Sequence, residues 1–563
     1  MPKLHRLLIA GVAVFLLPAL SLRGQSAPLL DILGPELNRN FEVLKQKTDM
    51  PAYYLSYAVT EVDSHVISGM LGSVSADRSG VRRVLDVSIR LGSPKLDNYH
   101  PMPRERARFT TGSLVSVDNN PEAIRRRLWL DTDRSYRLAA QRLIKIRAST
   151  QARVEADDAS PDFSAGEEAA KLIAPPAKLE LPVKEWSERI RRWSAALAGY
   201  PRILASGVNL TAQGETRYFA DSEGAQIQQG RIRAQIAIMA RAKAADGLDL
   251  VTSETISLTD PALPPKDELV MAAVERVAKD LMGLLNAPDV EPYVGPAILS
   301  GRAAGVFFHE IFGHRIEGHR QKDESEGQTF TKSVNSRVLP EFLSVIADPT
   351  LASHAGAALN GSYLFDDEGI KAQRVAVVES GILKTFLMSR SPVRGFPKSN
   401  GHGRRQPGYE AVSRQSNLIV TASETVSEEQ LRRMLLEEVR KQAKPYGLYF
   451  REVSSGFTMT GRAGLQAFSV VPLVVYRVYP DGRPDELVRG VDIVGTPLAS
   501  FAKILAASDR PEVFNGFCGA ESGTVPVAAV SPALLVSEIE VQKKERGRDR
   551  PPLLSRPPFR GEQ

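Results

Sequence analysis

The stretch from Gly305 to Arg320 limits the possible folds of this chain more than any other part of it. It reads GVFFHEIFGHRIEGHR, so three histidines and two glutamates lie within or directly after a thick apolar run. Imidazole and carboxylate groups are common protein ligands of transition metals. The stretch therefore predicts a mostly buried helix that carries a metal site.

The spacing of the first two histidines does not fit a regular helix. A helix that begins at Arg302 would carry His309 and Glu310 on its wall, as in the H-E-x-x-H motif of metallohydrolases. Its buried side would consist of Ala303, Val306, Phe307, Ile311 and Phe312. In that motif the two histidines are four residues apart and close to one face. Here His309 and His314 are five apart, which is a rotation of roughly 140° on a regular helix.

Two imidazoles with this spacing can share a metal only if the helix is distorted. A one-residue π-bulge, or unwinding at Gly313, would bring His314 back to the face of His309. The spacing therefore predicts a distorted helix. The alternative is that both residues are ordinary core or surface histidines.

A third ligand has to come from another part of the chain. The only cysteine, Cys518, lies in the segment FNGFCGAESG, where the neighbouring glycines allow close backbone approach. A thiolate suits zinc well. The alternative is that Cys518 is a small buried hydrophobic residue, as a free cysteine usually is.

These residues resemble the motifs of the TldD/PmbA metalloprotease family. Active members of that family resemble this chain in four motifs that occur in the same order: G-R-A-A-G, H-E-x-x-G-H, E-G and a late C-G. The corresponding segments here are Gly301 to Gly305, His309 to His314, Ile316 to Gly318 and Asn515 to Gly519, with further matches at Asp366 to Gly369, Glu379 to Lys384 and Asn400 to Arg405. The resemblance is strong from Gly295 to Val536 and weak before it. One departure is His319, where the family more often has an acidic residue.

The resemblance implies a zinc peptidase that hydrolyses unfolded peptides or proteins. His309, His314 and Cys518 would hold the zinc ion, and Glu310 would be the catalytic base that activates the zinc-bound water. It also implies a dimer, formed either with a second copy or with a related subunit. The alternative function is a non-catalytic peptide-binding or assembly subunit with a structural zinc, because the family is similar to a partner lineage that lacks the motif.

A thiolate ligand makes zinc a weaker Lewis acid, so additional oxyanion donors would help the reaction. The candidates are His402, Arg404, Arg405 and Tyr409. The alternative is that they belong to a glycine-rich surface loop with solvated charges.

The distribution of charge argues against a nucleic-acid partner. The formal net charge is +6, but Lys3, Arg6 and Arg23 supply +3 of it and the tail from Lys543 to Gln563 supplies +4. The chain between these segments is therefore close to neutral, which does not provide a nucleic-acid surface.

The first 27 residues resemble a bacterial-type secretory signal peptide. Lys3, His5 and Arg6 precede an uncharged run from Leu7 to Leu20, and small residues follow. The run is shorter than the roughly 20 residues that span a bilayer, so no permanent membrane span is expected. The protein is therefore expected to be exported, either to the periplasm or outside the cell.

The remaining pattern predicts an α+β protein with two domains. An N-terminal mixed α/β domain would occupy residues 28–290, and a C-terminal β-rich domain with the metal helix would occupy residues 291–542. Residues 543–563, rich in proline and arginine, are expected to be disordered. The clearest turn between the first strands is expected at Asp77 to Gly80. Trp186 and Trp193 are expected in the core. The expected helices are 29–47, 131–147, 183–197, 266–285 and 427–444.

The signal peptide gives a testable prediction. Protein expressed with its full leader in a Gram-negative host should have a mature N-terminus between Ser21 and Pro28, because signal peptidase cleaves after small residues. Mass spectrometry of the intact protein measures this. A chain that retains Met1 in the cytoplasm would contradict export.

Overall fold

The computed structural model describes residues 28–102, 105, 111–150, 158–462, 468–495, 500–544, 552, 554 and 557. The expected signal peptide, and nearly all of the tail that is expected to be disordered, lie outside the described residues. No helix in the described ranges has the length and apolar character needed to cross a membrane.

The N-terminal half forms an antiparallel sheet with helices. The strands are β1 (Ala52–Met70), β2 (Ser73–Ser93), β3 (Leu96–Asp97), β4 (Ser113–Val115), β5 (Lys171–Ile173), β6 (Ala205–Asp221), β7 (Gln226–Lys243) and β8 (Asp249–Leu258). The helices are α1 (Pro28–Gln46), α2 (Pro121–Thr150), α3 (Val183–Ala195) and α4 (Asp267–Asn286). The main path of the sheet is β3-β2-β1-β6-β7-β5, with β4 on β2 and β8 on β7, and only β5 pairs in parallel.

All four helices cover the same face of this sheet. Side chains alternate between the two faces of a strand, and Leu55, Tyr57, Val59 and Ile67 of β1 all point to the helical side. The first three pack with α1 and α2, and Ile67 packs with α3 and α4. The predicted core positions of Trp186 and Trp193 are confirmed there, since both are fully buried with ring centroids 6.1 Å apart.

The predicted turn at Asp77 to Gly80 is wrong. These residues lie inside β2, opposite residues 64–67 of β1. The chain reverses instead at Leu71 and Gly72, whose φ values of 49° and 84° fit a two-residue hairpin turn. Leucine is unusual in such a turn, so the pattern of turn-forming residues did not reveal it.

Helix α2 begins ten residues before the predicted position. Its start is marked by Asn120, whose side-chain oxygen accepts from the backbone N–H groups of Glu122 and Ala123 at 3.1 and 3.2 Å. Pro121 then occupies the first helical position, where a missing N–H costs nothing.

The C-terminal half is built around a larger sheet. Its strands, together with two small ribbons, are β9 (Tyr293–Leu299), β10 (Leu343–Ala347), β11 (Ser353–His354), β12 (Ala357–Ala358), β13 (Val375–Glu379), β14 (Ile382–Leu383), β15 (Gly403–Arg404), β16 (Val412–Ser413), β17 (Asn417–Ala422), β18 (Gly447–Thr458), β19 (Phe468–Val478), β20 (Glu486–Val488), β21 (Val491–Gly495), β22 (Ile504–Ala520) and β23 (Gly523–Lys543). The helices are α5 (Gly301–Ile311), α6 (His319–Lys322) and α7 (Glu428–Lys441). The predicted α+β class with a strand-rich second half is confirmed.

Strand β23 is the centre of this sheet. It pairs with β17, β21, β22 and β9, and the main path of the sheet is β14-β13-β10-β17-β23-β21-β19-β18-β9. Helix α5 lies against β23, β18 and β22, while α7 packs with residues of β9 and β23 in a separate apolar cluster. The helix with the histidines is therefore held against three strands.

The second half covers the face of the first sheet that has no helices. Arg217 forms an ion pair with Asp367, Gln229 donates to the Phe365 carbonyl at 2.8 Å, and Asp86 accepts from the Gly408 backbone N–H at 2.9 Å. Loops of the second half thus supply partners for polar groups of the first.

Asp86 gives a prediction about pH and stability. It is 1% exposed, and burial raises the pKa of its carboxyl from 3.8 to about 6. The folded state therefore binds this proton more tightly than the unfolded state. The stability that Asp86 contributes is present at low pH and is lost as the pH rises through the range from 3.8 to about 6. As the pH rises from 4 to 7, the free energy of unfolding of the wild type should fall by up to about 3 kcal/mol relative to that of Asp86→Asn.

Urea denaturation of both proteins at pH 4 and pH 7 measures this difference. The variant is the reference for all other titrating groups. An unchanged difference between the two proteins at these pH values would contradict the prediction.

Candidate metal centre

Helix α5 places two candidate site residues near its end. It follows β9 directly, and Ser300 caps it by accepting from the Ala303 backbone N–H at 3.1 Å. The apolar side chains that the sequence assigned to the core are all buried. His309 and Glu310, each 8% exposed, are therefore held in the last turn by packing on the sheet.

Helix α5 ends between His309 and His314, where their five-residue spacing requires a distortion. After Ile311 the chain tightens into a 3₁₀ turn at Gly313–Ile316. A side chain at Gly313 would collide with Gln415, whose Oε1 lies 1.9 Å from the position of a Cβ. The predicted unwinding at Gly313 is confirmed, and the glycine provides the space for a neighbouring side chain.

Arg315 stabilises this helix end. Its guanidinium donates to the carbonyls of Glu310 and Ile311, both at 3.2 Å, and to the Thr458 hydroxyl at 3.0 Å. A cation at the carboxyl end of a helix satisfies carbonyls that have no partner within the helix. Burial lowers the pKa of Arg315 to about 10.

The turn brings His314 next to His309, and β22 brings Cys518 to both. The ring centroids of the two histidines are 5.1 Å apart, and Cys518 Sγ lies 3.3 Å from His314 Nε2. One ligand atom from each of the three residues lies within 4.8 Å of the others, and all three side chains are buried. The structure thus gathers the three residues that the sequence proposed as ligands.

This group fits a zinc ion. Zinc bonds to imidazole nitrogen at about 2.0–2.1 Å and to thiolate sulfur at about 2.3 Å in tetrahedral geometry, which places neighbouring ligand atoms about 3.3–3.8 Å apart. The separation of 3.3 Å between Cys518 Sγ and His314 Nε2 agrees with that geometry.

The charges in the group favour a thiolate. Burial opposes ionisation of Cys518, but the imidazoles of His314 and His309 hold the pKa of its thiol well below the usual range. Burial likewise disfavours a charged His314, yet the thiolate and the Glu317 carboxylate raise its pKa to about 10. The cysteine is therefore in the form that binds metal.

Two buried residues that the sequence did not single out as individual site residues support the ligands. Glu317, fully buried, accepts from His314 Nδ1 at 3.1 Å, so Nε2 of that ring is free to point at Cys518. Arg414 lies 3.4 Å from Glu317 and donates to the Cys518 carbonyl at 2.7 Å. The carboxylate in the motif I-E-G was the available signal for Glu317, whereas Arg414 lies about a hundred residues from either ligand.

His319 does not join the metal group. Its Nε2 bonds to Glu521, and Arg320 donates to both Glu317 and Glu521 at 2.9 and 2.8 Å. The ligand atoms of Glu317, His319 and Glu521 also lie within 4.8 Å of one another, close enough to share a metal ion. Arg320 already pairs with both carboxylates and Arg414 lies 3.4 Å from Glu317, so a second cation is not favoured there.

A cavity of about 540 Å³ opens onto the ligands. Its walls include residues from both halves of the chain: Ser253 and Thr255 of β8, residues 453–458 of β18, and residues 514–520 of β22. Glu310 lies in its lining, and burial raises the pKa of this carboxyl. A raised pKa makes this carboxylate a better proton acceptor than an exposed one.

The four residues proposed as oxyanion donors do not line this cavity. His402 is fully buried, bonds to Asn400 and Ser416, and has its pKa lowered to about 3 by burial. Arg404 donates to the Pro526 carbonyl at 2.8 Å, and the Arg405 backbone binds Asp367. Tyr409 is 39% exposed outside the cavity.

The reason for this difference is that the segment spans the two halves of the protein. Its arginines fill buried positions between the sheets, where their charges pair with carboxylates or carbonyls. Arg405 reaches Ser88 and Asp86 of the first half, whereas the carbonyls that Arg404 binds belong to the second half. Neither side chain faces the cavity.

Comparisons with known proteins find similarity to metalloproteases. Residues 293–543 match the family described as PmbA/TldA metallopeptidase C-terminal domain. A metalloprotease of Archaeoglobus fulgidus is 28% identical over 319 residues, which is 56% of this chain and 68% of that protein. A zinc metalloprotease TldD homolog of Saccharolobus solfataricus is 26% identical over 270 residues, or 47% of this chain and 55% of that protein. The match to the second relative thus spans about half of its length.

Solved structures share the fold over most of the chain. TldE from Thermococcus kodakarensis aligns with a TM-score of 0.60 at 13% identity, covering 92% of this chain and all of that one. A Thermotoga maritima protein, described as a candidate modulator of a DNA gyrase, gives a TM-score of 0.61 at 16% identity and covers 90% of this chain and all of that one. At these identities the likeness concerns the fold alone.

The support of His314 by Glu317 gives a prediction. Glu317→Gln should lower zinc affinity about 10–100-fold, because the amide no longer provides the charge that orients and polarises the imidazole. Competition with a chromophoric chelator measures the affinity. Glu324→Gln, at an exposed position nearby, is the matched control and should bind zinc as the wild type does. A folded Glu317→Gln protein with unchanged affinity would contradict the prediction.

Proposed function

Since this chain belongs to the TldD/PmbA family through residues 293–543, we propose that it is a zinc-dependent peptidase that hydrolyses unfolded peptides or proteins. His309, His314 and Cys518 hold the metal, and Glu310 is the catalytic base. The observation that carries the proposal is the position of Glu310, which lies in the cavity directly beside the three ligands.

The residues divide the chemistry between them. When bound, zinc supplies a water of lowered pKa and polarises the substrate carbonyl. Glu310 accepts the proton of the attacking water and then donates it to the leaving amine. The raised pKa of Glu310 suits both steps, because the group has to bind and release a proton in each cycle.

Three protein ligands favour catalysis over the alternative of a structural zinc. Structural sites usually have four protein ligands, whereas catalytic sites keep one position for water or substrate. Within the described residues the group at His309 has three. A base in an open cavity is also unnecessary for a structural site.

Two strand edges at the cavity support binding of an extended peptide. Strand β22 pairs only with β23, and β18 pairs with β9 only at residues 448–450, so the edges at residues 451–458 and 512–520 pair with no other described strand. An extended peptide can bind such an edge through its backbone with little dependence on its side chains. A folded domain does not present an extended backbone, which is why the proposed substrate is unfolded.

The proposal includes a dimer, formed with a second copy or a related subunit. Three large apolar side chains near the cavity are exposed: Phe457 to 63%, Phe517 to 53% and Met459 to 47% of its surface. Exposed apolar side chains of this size are typical of a surface that a partner covers. The mass of the protein in solution, alone and with the related subunit, tests this part.

The test of the function compares wild type with Glu310→Gln. The variant keeps the shape of the side chain but cannot act as a base, so peptide hydrolysis should fall by about 10²–10⁴-fold. Its zinc content should remain at one ion per chain, because Glu310 is not a ligand. Cys518→Ala should instead lose the zinc.

The substrate class is tested with a small domain and a destabilised variant of it that is unfolded. The wild type should cleave only the unfolded form. Equal cleavage of both forms, or cleavage of neither by fully zinc-loaded protein, would contradict the proposal.

A further inference from the structure

Strand β18 passes directly over Glu310 at Gly456. A Cβ built on Gly456 would lie 2.3 Å from Cγ of Glu310 and 2.9 Å from both Cδ and Oε1. Carbon atoms that are not bonded to each other do not approach so closely. Any side chain at position 456 would therefore occupy the space of the Glu310 carboxylate.

The backbone at this position does not itself require glycine. Gly456 lies within β18, opposite Val470 of β19, and is not among the residues with positive φ. An alanine could adopt the same backbone conformation. What is special about position 456 is its contact with Glu310.

Glu310 depends on this contact because hydrogen bonds do not fix its carboxylate. Among the described residues its side chain has no hydrogen-bond donor, whereas Glu317 in the same centre has His314 and Arg320. Glu310 is nevertheless 8% exposed, so most of its surface is covered by packing. The backbone of β18 at Gly456 forms part of that cover.

We infer that Gly456 is a positioning residue for the reaction: its missing side chain lets β18 lie against Glu310 and hold the carboxylate towards the metal ligands. This inference rests on the proposed role of Glu310 as the base. Gly456 also lies in the edge of β18 that is proposed to bind the peptide. Its effect on the base runs only through the contact with Glu310.

The test is the variant Gly456→Ala. The added methyl group should be accommodated by rotation of the Glu310 side chain, because α5 and β18 are both held by the sheet while the end of a glutamate is free to turn. We expect kcat to fall at least about tenfold, with zinc content unchanged. KM should change little, because the methyl group leaves the backbone N–H and C=O groups of the β18 edge in place. Gly461→Ala is the matched control, since its Cβ would lie 3.8 Å from the nearest contact, the Ser325 carbonyl.

A crystal structure of Gly456→Ala tests the inference without any measurement of activity. The Glu310 carboxylate should be displaced, and in Gly461→Ala it should stay in place. If the wild type cleaves no peptide, the proposed function fails, while the position of Glu310 in the variant still decides this inference. An undisplaced carboxylate, or an unchanged kcat, would overturn it.

The variant Gly456→Ala could fail to fold. The double variant Gly456→Ala with Glu310→Ala then decides the question, because it removes Cγ and Cδ and leaves room for the new methyl group. Recovery of folding in the double variant supports the contact. Misfolding of both variants would show that Gly456 packs against something other than Glu310 and would overturn the inference.

Discussion

The candidate metal centre depends on one buried set of charges around Glu317. A carboxylate removed from water is costly unless cations and hydrogen bonds compensate it. Glu317 is fully buried and meets His314, Arg320 and Arg414. Arg414 also donates to the Cys518 carbonyl at 2.7 Å and to Ser522 and Gly523 in the turn that follows. The same ion pairs therefore fix the 3₁₀ turn after α5 and the hairpin of β22 and β23 relative to each other, which sets the distance between the ligands.

The sheets place this charged group at the boundary between the two halves of the chain. Strand β23 carries α5 on its surface and pairs with β22, so both sources of ligands share one support. The first sheet is covered by helices on one face only, and its other face meets the second half. Ser253 and Thr255 at the end of that open face complete the wall of the cavity. A site between two sheets combines rigid walls with access for an extended chain.

Local patterns in the sequence predicted much of the centre, and contacts between distant segments limited the rest. The five-residue spacing of His309 and His314 required a break, and Gly313 was the residue able to provide it. The segment with His402 and Arg404 looked polar and glycine-rich, which is equally typical of a site and of a loop. The structure shows its charges buried, and Arg404 binds the Pro526 carbonyl of β23, which is 122 residues away in sequence. Arg414 was missed for the same reason.

The sequence by itself determined the distortion of the helix, because that follows from residue types at short spacing. Its resemblance to the family and its side-chain chemistry proposed His309, His314 and Cys518 as ligands and Glu310 as base. Side-chain chemistry and the rotation per residue of a helix are local properties. Only the tertiary structure decided that Cys518 reaches His314, that Glu317 and Arg414 support both, and that Gly456 lies on Glu310. Apart from the local contact of Glu317 with His314, these contacts join segments that are about 100 to 200 residues apart. They are fixed by the register of long strands and by buried charges, and neither can be read from a local pattern.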